Sequence, residues 1–151
     1  RCLVGSEMCI RDRIINYEHD ELVLQNFTKR LAERVCLEFS ADGLLVRQPH
    51  SLKEIEDEGR ILSHCVGGYA ERHAMGKLSI MFLRKVSEPN KPYYTVEVSQ
   101  YGGIVQCRGY RNNVVQNGGE DKPQEIKDFE QKYQRYLDRV FAEKQKERKT
   151  A

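Results

Sequence analysis

"LSIMFLR" (Leu78–Arg84), "PYYTVEVSQ" (Pro92–Gln100) and "GIVQCRG" (Gly103–Gly109) decide the fold of this chain. Each run is short, rich in β-branched, aromatic or other apolar residues, and bounded by turn material: "KVSEPNK" (Lys85–Lys91) after the first and "YGG" (Tyr101–Gly103) after the second. Runs of that kind read as hairpin-connected strands, so the three predict an antiparallel meander. In the second, Tyr94, Val96 and Val98 alternate with Thr95, Glu97 and Ser99; in the third, Ile104, Gln106 and Arg108 alternate with Val105 and Cys107. Successive side chains of a strand point to opposite faces. One face is therefore apolar, and the other carries Thr95, Glu97, Gln106 and Arg108. A polar sheet face is either wet or a site.

Outward from the meander the period is helical. Upstream, Leu24, Phe27, Leu31 and Val35 recur at spacings of three and four and predict an N-terminal helix packed by that stripe. "ADGLLVRQP" (Ala41–Pro49) offers Asp42-Gly43 as a turn and Leu44–Val46 as a short edge strand stopped by Pro49. "SLKE" (Ser51–Glu54) is a capping box, in which Ser51 accepts from the Glu54 amide and Glu54 reaches back to the Ser51 amide. The helix it starts continues its stripe through Leu52, Ile55, Gly59 and Leu62, and "YAERHAMG" (Tyr69–Gly76) adds one or two turns closed by Gly76. Downstream, Pro123 suits the first turn of a last helix, with Ile126, Phe129, Tyr133, Leu137 and Val140 on one side. The class is α+β: a small antiparallel β-meander of three to four strands packed against N-terminal, central and C-terminal helices.

The chain has 151 residues, enough for one domain with one real core. Its 25 basic and 23 acidic residues give a formal charge of +2, far from the basic excess of a dedicated duplex-binding domain. No apolar run approaches the roughly 20 residues that span a bilayer, and the expected location is cytoplasmic. The opening "RCLVGSEMCIRDR" closely resembles a translated library-adapter sequence of the kind met in metagenomic data. Residues 1–13 are accordingly expected to be a non-native leader, residues 14–141 a single domain and 142–151 a charged, solvated tail. Without Cys2 and Cys9, the remaining Cys36, Cys65 and Cys107 are widely separated and form no C-x-x-C pair, which fits a reducing compartment.

Several residues could carry chemistry, each beside a plainer reading. Cys65 follows His64 at the expected helix end. A thiolate stabilised by a base is a nucleophile, yet adjacent helical side chains diverge by about 100° and free cysteine is among the most buried residue types. His64 can equally cap the helix C-terminus. Gly67 and Gly68 suit a turn, or an anion held on backbone amides. Glu97 can be a general base, a metal ligand or half of a cross-strand pair with Gln106 or Arg108. Gln106, Arg108, Arg111 and Asn112 around Gly109 can hold a phosphate or a base edge. A zinc site is a distant third reading, needing His64, Cys65 and Cys107 together with His50, His73 or Cys36.

The ordered set "EGRILSHCVGGYAERHAMGKLSIMFLRK", "PYYTVEVS" and "VQCRGYRN" resembles the PcfJ-like family of conjugative plasmids and other mobile elements. The matching positions are Glu58, Gly59, His64, Cys65, Val66, Gly67, Tyr69, Gly76, Arg84, Pro92, Thr95, Glu97, Gln106, Gly109 and Asn112, within a signature core of residues 44–114. The resemblance implies a context, plasmid transfer or mobile-element biology, rather than a reaction. It also favours a shared site containing His64, Cys65, Glu97 and Gln106. Two functions follow as expectations. The first is a recognition module for nucleic acid or a transfer-machinery protein, binding through Gly67, Tyr69, Arg84, Thr95, Gln106, Arg108 and Asn112, with no cofactor, no metal and no membrane. The second is a small enzyme using His64, Cys65 and Glu97.

Overall fold

The computed structural model describes residues 17–62, 69–109 and 122–150, without the side chains of 17–20 and 148–150. Its elements are α1 (Tyr17–Arg34), a 3-10 turn (Val35–Leu37), β1 (Phe39–Ala41), β2 (Leu44–Arg47), α2 (Leu52–Ile61), α3 (Ala70–Ala74), β3 (Leu78–Lys85), β4 (Tyr94–Ser99), β5 (Ile104–Arg108) and α4 (Gln124–Thr150). The strands form one antiparallel sheet in the order β1-β2-β3-β4-β5. The α+β class and the meander stand, but the sheet has five strands rather than three to four. Asp42 and Gly43 have φ of 54° and 78°, so they form a tight two-residue hairpin that folds Phe39–Ala41 back onto Leu44–Val46. Leu44–Arg47 is thereby interior instead of an edge. Three residues are too few for Phe39–Ala41 to show a period of their own.

The apolar sheet face lies under α4. Ile126, Phe129, Tyr133 and Leu137 pack on Val46, Met81, Leu83, Val96, Val98 and Cys107, all buried. Burying such side chains contributes about 1.5–3 kcal/mol each. Two tyrosines pin the helix further, since Tyr133 Oη donates to the Leu37 carbonyl at 2.7 Å and Tyr136 Oη to that of Cys36 at 2.8 Å. The helix continues through the charged stretch to Thr150.

On the other face Ile55 of α2 packs on Leu78, Ile80 and Phe82, and Val23 and Phe27 of α1 enclose Ala74 of α3. The expected α1 stripe holds at Phe27 and Leu31 but not at Leu24 and Val35. Leu24 is 55% exposed and Val35 56%, whereas Val23, Phe27 and Arg34 point inward. The helix ends at Arg34, so Val35 falls in the 3-10 turn, and the inward place is taken by an arginine that a search for apolar residues passes over. The capping box is half as expected. Ser51 Oγ accepts from the Glu54 amide at 3.2 Å, but Glu54 Oε1 takes the His50 amide, at 2.6 Å, instead of that of Ser51. Helix α3 ends as predicted at Gly76, with φ of 79°. Its Gly76 N–H···O=C His73 and Lys77 N–H···O=C Arg72 bonds make a Schellman motif.

Candidate functional site

The polar sheet face forms as its alternation predicts, with one adjustment. Register pairs Thr95 with Arg108 and Glu97 with Gln106, but a bulge between Glu97 and Val98 sets Ile104 opposite Val98. Strict alternation would put Ile104 beside Gln106. The bulge turns it onto the α4 side, where it packs against the core, and leaves Val105 59% exposed. The face thus carries Thr95, Glu97, Gln106 and Arg108, continued across β3 by Arg84 and Phe82.

Helix α2 lays a carboxylate into this face. Glu58 follows Ile55 by three residues and precedes Leu62 by four, on the buried stripe, and its side chain is 1% exposed. Arg84 meets it with a fork: Nη2 donates to Oε1 at 2.6 Å and Nη1 to Oε2 at 2.9 Å. Thr95 Oγ1 donates to the same Oε2 at 2.9 Å. The Arg84 guanidinium lies 4.6 Å from the centroid of the Phe82 ring, which Arg47 also approaches at 5.2 Å. Among the described residues nothing accepts from Arg84 Nε. Burial pushes the Glu58 carboxyl upward, against the opposing pull of Arg84 and Thr95. Bidentate arginine–carboxylate geometry of this kind fixes orientation as well as charge. The triad therefore holds α2 at one angle across β3 and β4.

Beyond the triad the face carries partly accessible polar side chains. Glu97 and Gln106 are half-buried, and Gln106 Nε2 donates to Glu97 Oε1 at 2.7 Å, which is the cross-strand pair among the readings of Glu97. Arg108 is half-buried beside Thr95. Tyr69 packs partly against Ile55, Ile80 and Phe82 and carries the Arg72 guanidinium 5.1 Å from its ring centroid. Arg84, expected at a contact surface, is instead inside, with its Nη atoms committed to Glu58. His64, Cys65, Gly67 and Asn112 lie outside the described residues, and with them the imidazole–thiol pair of the enzymatic reading.

The zinc reading loses two of its candidate ligands to separate environments. Cys107 faces α4, where burial pushes its thiol well above the usual range, so it stays protonated. His73 is fully buried beside the Phe27 ring, on the α1 side. Its Nδ1 accepts from the Ile80 amide at 2.9 Å, so the proton sits on Nε2. Burial, then the Arg34 charge, lower its pKa to about 3, which keeps the ring neutral. Among the described residues no three His, Cys, Asp or Glu side chains converge on a metal site.

Glu58 is absent from the expected site, although it stands among the positions of the family signature. The signal was present as a carboxylate at a buried helical position, opposite a strand arginine.

A family model described as "PcfJ-like protein" matches residues 8–123. A curated relative, "Uncharacterized protein Lin1253/Lin1744" of Listeria innocua serovar 6a, is 35% identical over 94 residues, which is 61% of this chain but 20% of that protein. The chain thus spans about a fifth of the length of the relative it matches. No solved structure matches, and among the described residues no helix is long and apolar enough to cross a membrane. On the ordered sequence signature and the extent of the family match, the chain belongs to the PcfJ-like protein family.

Proposed function

We propose that this domain is a recognition module that binds nucleic acid through the open part of its polar sheet face, in the plasmid or mobile-element context that the family resemblance implies. One observation carries the reading: Glu97, Gln106 and Arg108 stand side by side on rigid strands, half-accessible, with the Glu97–Gln106 pair using only one carboxylate oxygen and one amide hydrogen. The remaining amide donor and carbonyl suit a base edge, while Arg108 supplies the positive charge that a phosphate or guanine needs. Site chemistry on strands is held more precisely than on loops. The buried Glu58–Arg84–Thr95 triad has a positioning part in this reading, because it fixes the α2 wall of the face.

The test is titration against single- and double-stranded DNA and RNA at two salt concentrations. Binding should weaken with salt, by a slope of at least the one phosphate contact that Arg108 supplies. Arg108→Ala should weaken every sequence and reduce the salt slope by about one, whereas Gln106→Ala should mainly relax sequence preference. Negligible binding to all four nucleic acids would overturn the proposal, and a protein of the transfer machinery would then be the partner to seek.

A further inference from the structure

Away from the β4–β5 face, basic side chains outnumber carboxylates around one cleft among the described residues. At the end of the sheet remote from Arg84, the C-terminal halves of α1 and α4 and the β4–β5 turn enclose a cleft of about 370 Å³, within the range of small-molecule sites. Arg30, Arg34 and Lys144 line it against the single carboxylate of Glu33. Arg34 is the unusual member. It is 5% exposed, yet its hydrogen-bond acceptors are neutral: Ser79 Oγ at 2.9 Å from Nε, and the Leu78 carbonyl at 3.1 Å and the His73 carbonyl from Nη2. These bonds tie α1 to α3 and β3, which explains Nε and Nη2. They leave Nη1, for which no described residue is the acceptor.

Glu33 is turned to Arg30, 3.4 Å from its Nη1, while Arg30 Nε donates to the Ala74 carbonyl at 3.2 Å. Burial, and then the neighbouring Arg30 charge, draw the Arg34 pKa down to about 10. Glu33 offsets part of this from a distance, but its carboxylate is bonded to Arg30, and a buried cation with no anion in direct contact is costly unless something compensates it. Ser79 Oγ, accepting from Arg34, and Ser99 Oγ, accepting from the Tyr101 and Gly103 amides at 3.2 and 3.1 Å, each still have a hydroxyl hydrogen to donate.

We propose that this cleft binds a phosphate monoester, with Arg34 Nη1 at its base, Arg30 and Lys144 at its sides, and the serine hydroxyls completing the shell. The excess of two positive charges among the lining residues matches a dianion. The exposed Tyr101 ring, 83% accessible, borders the cleft where a base or other flat group attached to the phosphate could rest. The phosphate can come from a free mononucleotide or from the terminus of a nucleic-acid strand. The proposal does not rest on the β4–β5 face, since none of Glu97, Gln106 and Arg108 lines the cleft.

The arginine side-chain Nε–Hε signals of the 15N-labelled intact chain provide the test, because Arg34 substitutions risk the fold. AMP, inorganic phosphate and a short oligonucleotide with either a 5′-phosphate or a 5′-hydroxyl are titrated, with sodium chloride at matched ionic strength as control. The Arg34 and Arg30 signals should move and saturate with AMP, while Arg84 stays still. Lys144→Ala should weaken that binding by about tenfold. Saturation by the 5′-phosphorylated strand as well identifies a strand terminus as a source; saturation by AMP alone identifies a free ligand. Signals that fail to saturate with AMP, that follow chloride equally, or that saturate equally with the 5′-phosphate and 5′-hydroxyl strands would overturn the proposal. Loss of nucleic-acid binding at Gln106 and Arg108 would leave these outcomes untouched.

Discussion

Replacing Glu58 by glutamine keeps the side chain's shape and removes its charge. Arg84 then remains 2% exposed, facing a neutral amide, with its Nε already lacking an acceptor among the described residues. Removing one partner of a buried ion pair costs about 3–5 kcal/mol, a large share of the roughly 5–15 kcal/mol that holds a domain of this size together. For a chain of about this length each kcal/mol lowers Tm by about 2–4 °C, so the expected loss is about 6–20 °C. The chain has no tryptophan, so urea and thermal unfolding are best followed by far-UV circular dichroism. Thr95→Val, which removes one hydroxyl donor from the same carboxylate, should cost about 1.5–3 kcal/mol. The double replacement Glu58→Leu with Arg84→Met removes both charges and should be much less damaging than the sum of its single changes. A Glu58→Gln variant within about 1 kcal/mol of the parent, or strict additivity in the double variant, would refute the buried pair.

Other expectations follow from groups elsewhere in the fold. His73 has a folded pKa of about 3, below its unfolded value of about 6.5, so the unfolded chain binds the extra proton and stability must fall with acidification. Between pH 7 and pH 5 the loss is about 2 kcal/mol, and His73→Gln should flatten it; an equal slope in the variant would contradict the assignment. Gly76→Ala places a Cβ at a φ of 79°, 2.6 Å from Arg30 Cζ, and should cost about 1–2 kcal/mol by thermal unfolding. Because Cys107 is buried with a raised pKa, peptide mapping after thiol alkylation should find it protected in the native state, more so than the half-buried Cys36, and labelled on unfolding.

Much of this arrangement was legible in the sequence because the strands alternate cleanly. Tyr94, Val96 and Val98 against Thr95, Glu97 and Ser99 assign faces without further information, and Ser51 and Gly76 mark helix ends by local chemistry. What local pattern cannot carry is a change of count. The bulge that moves Ile104 adds one residue to β5 and reverses its face, and nothing in "YGGIVQ" announces it. The same limit hides β1, whose three residues become a strand only because Asp42 and Gly43 both adopt positive φ. Inward-facing charge is a different kind of miss. Arg34 and Glu58 occupy buried helical positions that a hydrophobic stripe leaves blank or fills with a neighbour, and only tertiary partners, Ser79 for one and Arg84 for the other, make those positions tolerable.

Side-chain amide spectroscopy of Gln106 during titration with nucleic acid separates recognition on the β4–β5 face from binding elsewhere, because that amide is held by Glu97 at 2.7 Å on the face proposed for recognition. The Gln106 amide and Arg108 signals should shift together and saturate, and Arg108→Ala should abolish the shift at Gln106. Tight binding that leaves Gln106 and Arg108 unmoved while perturbing residues along α4 would contradict it.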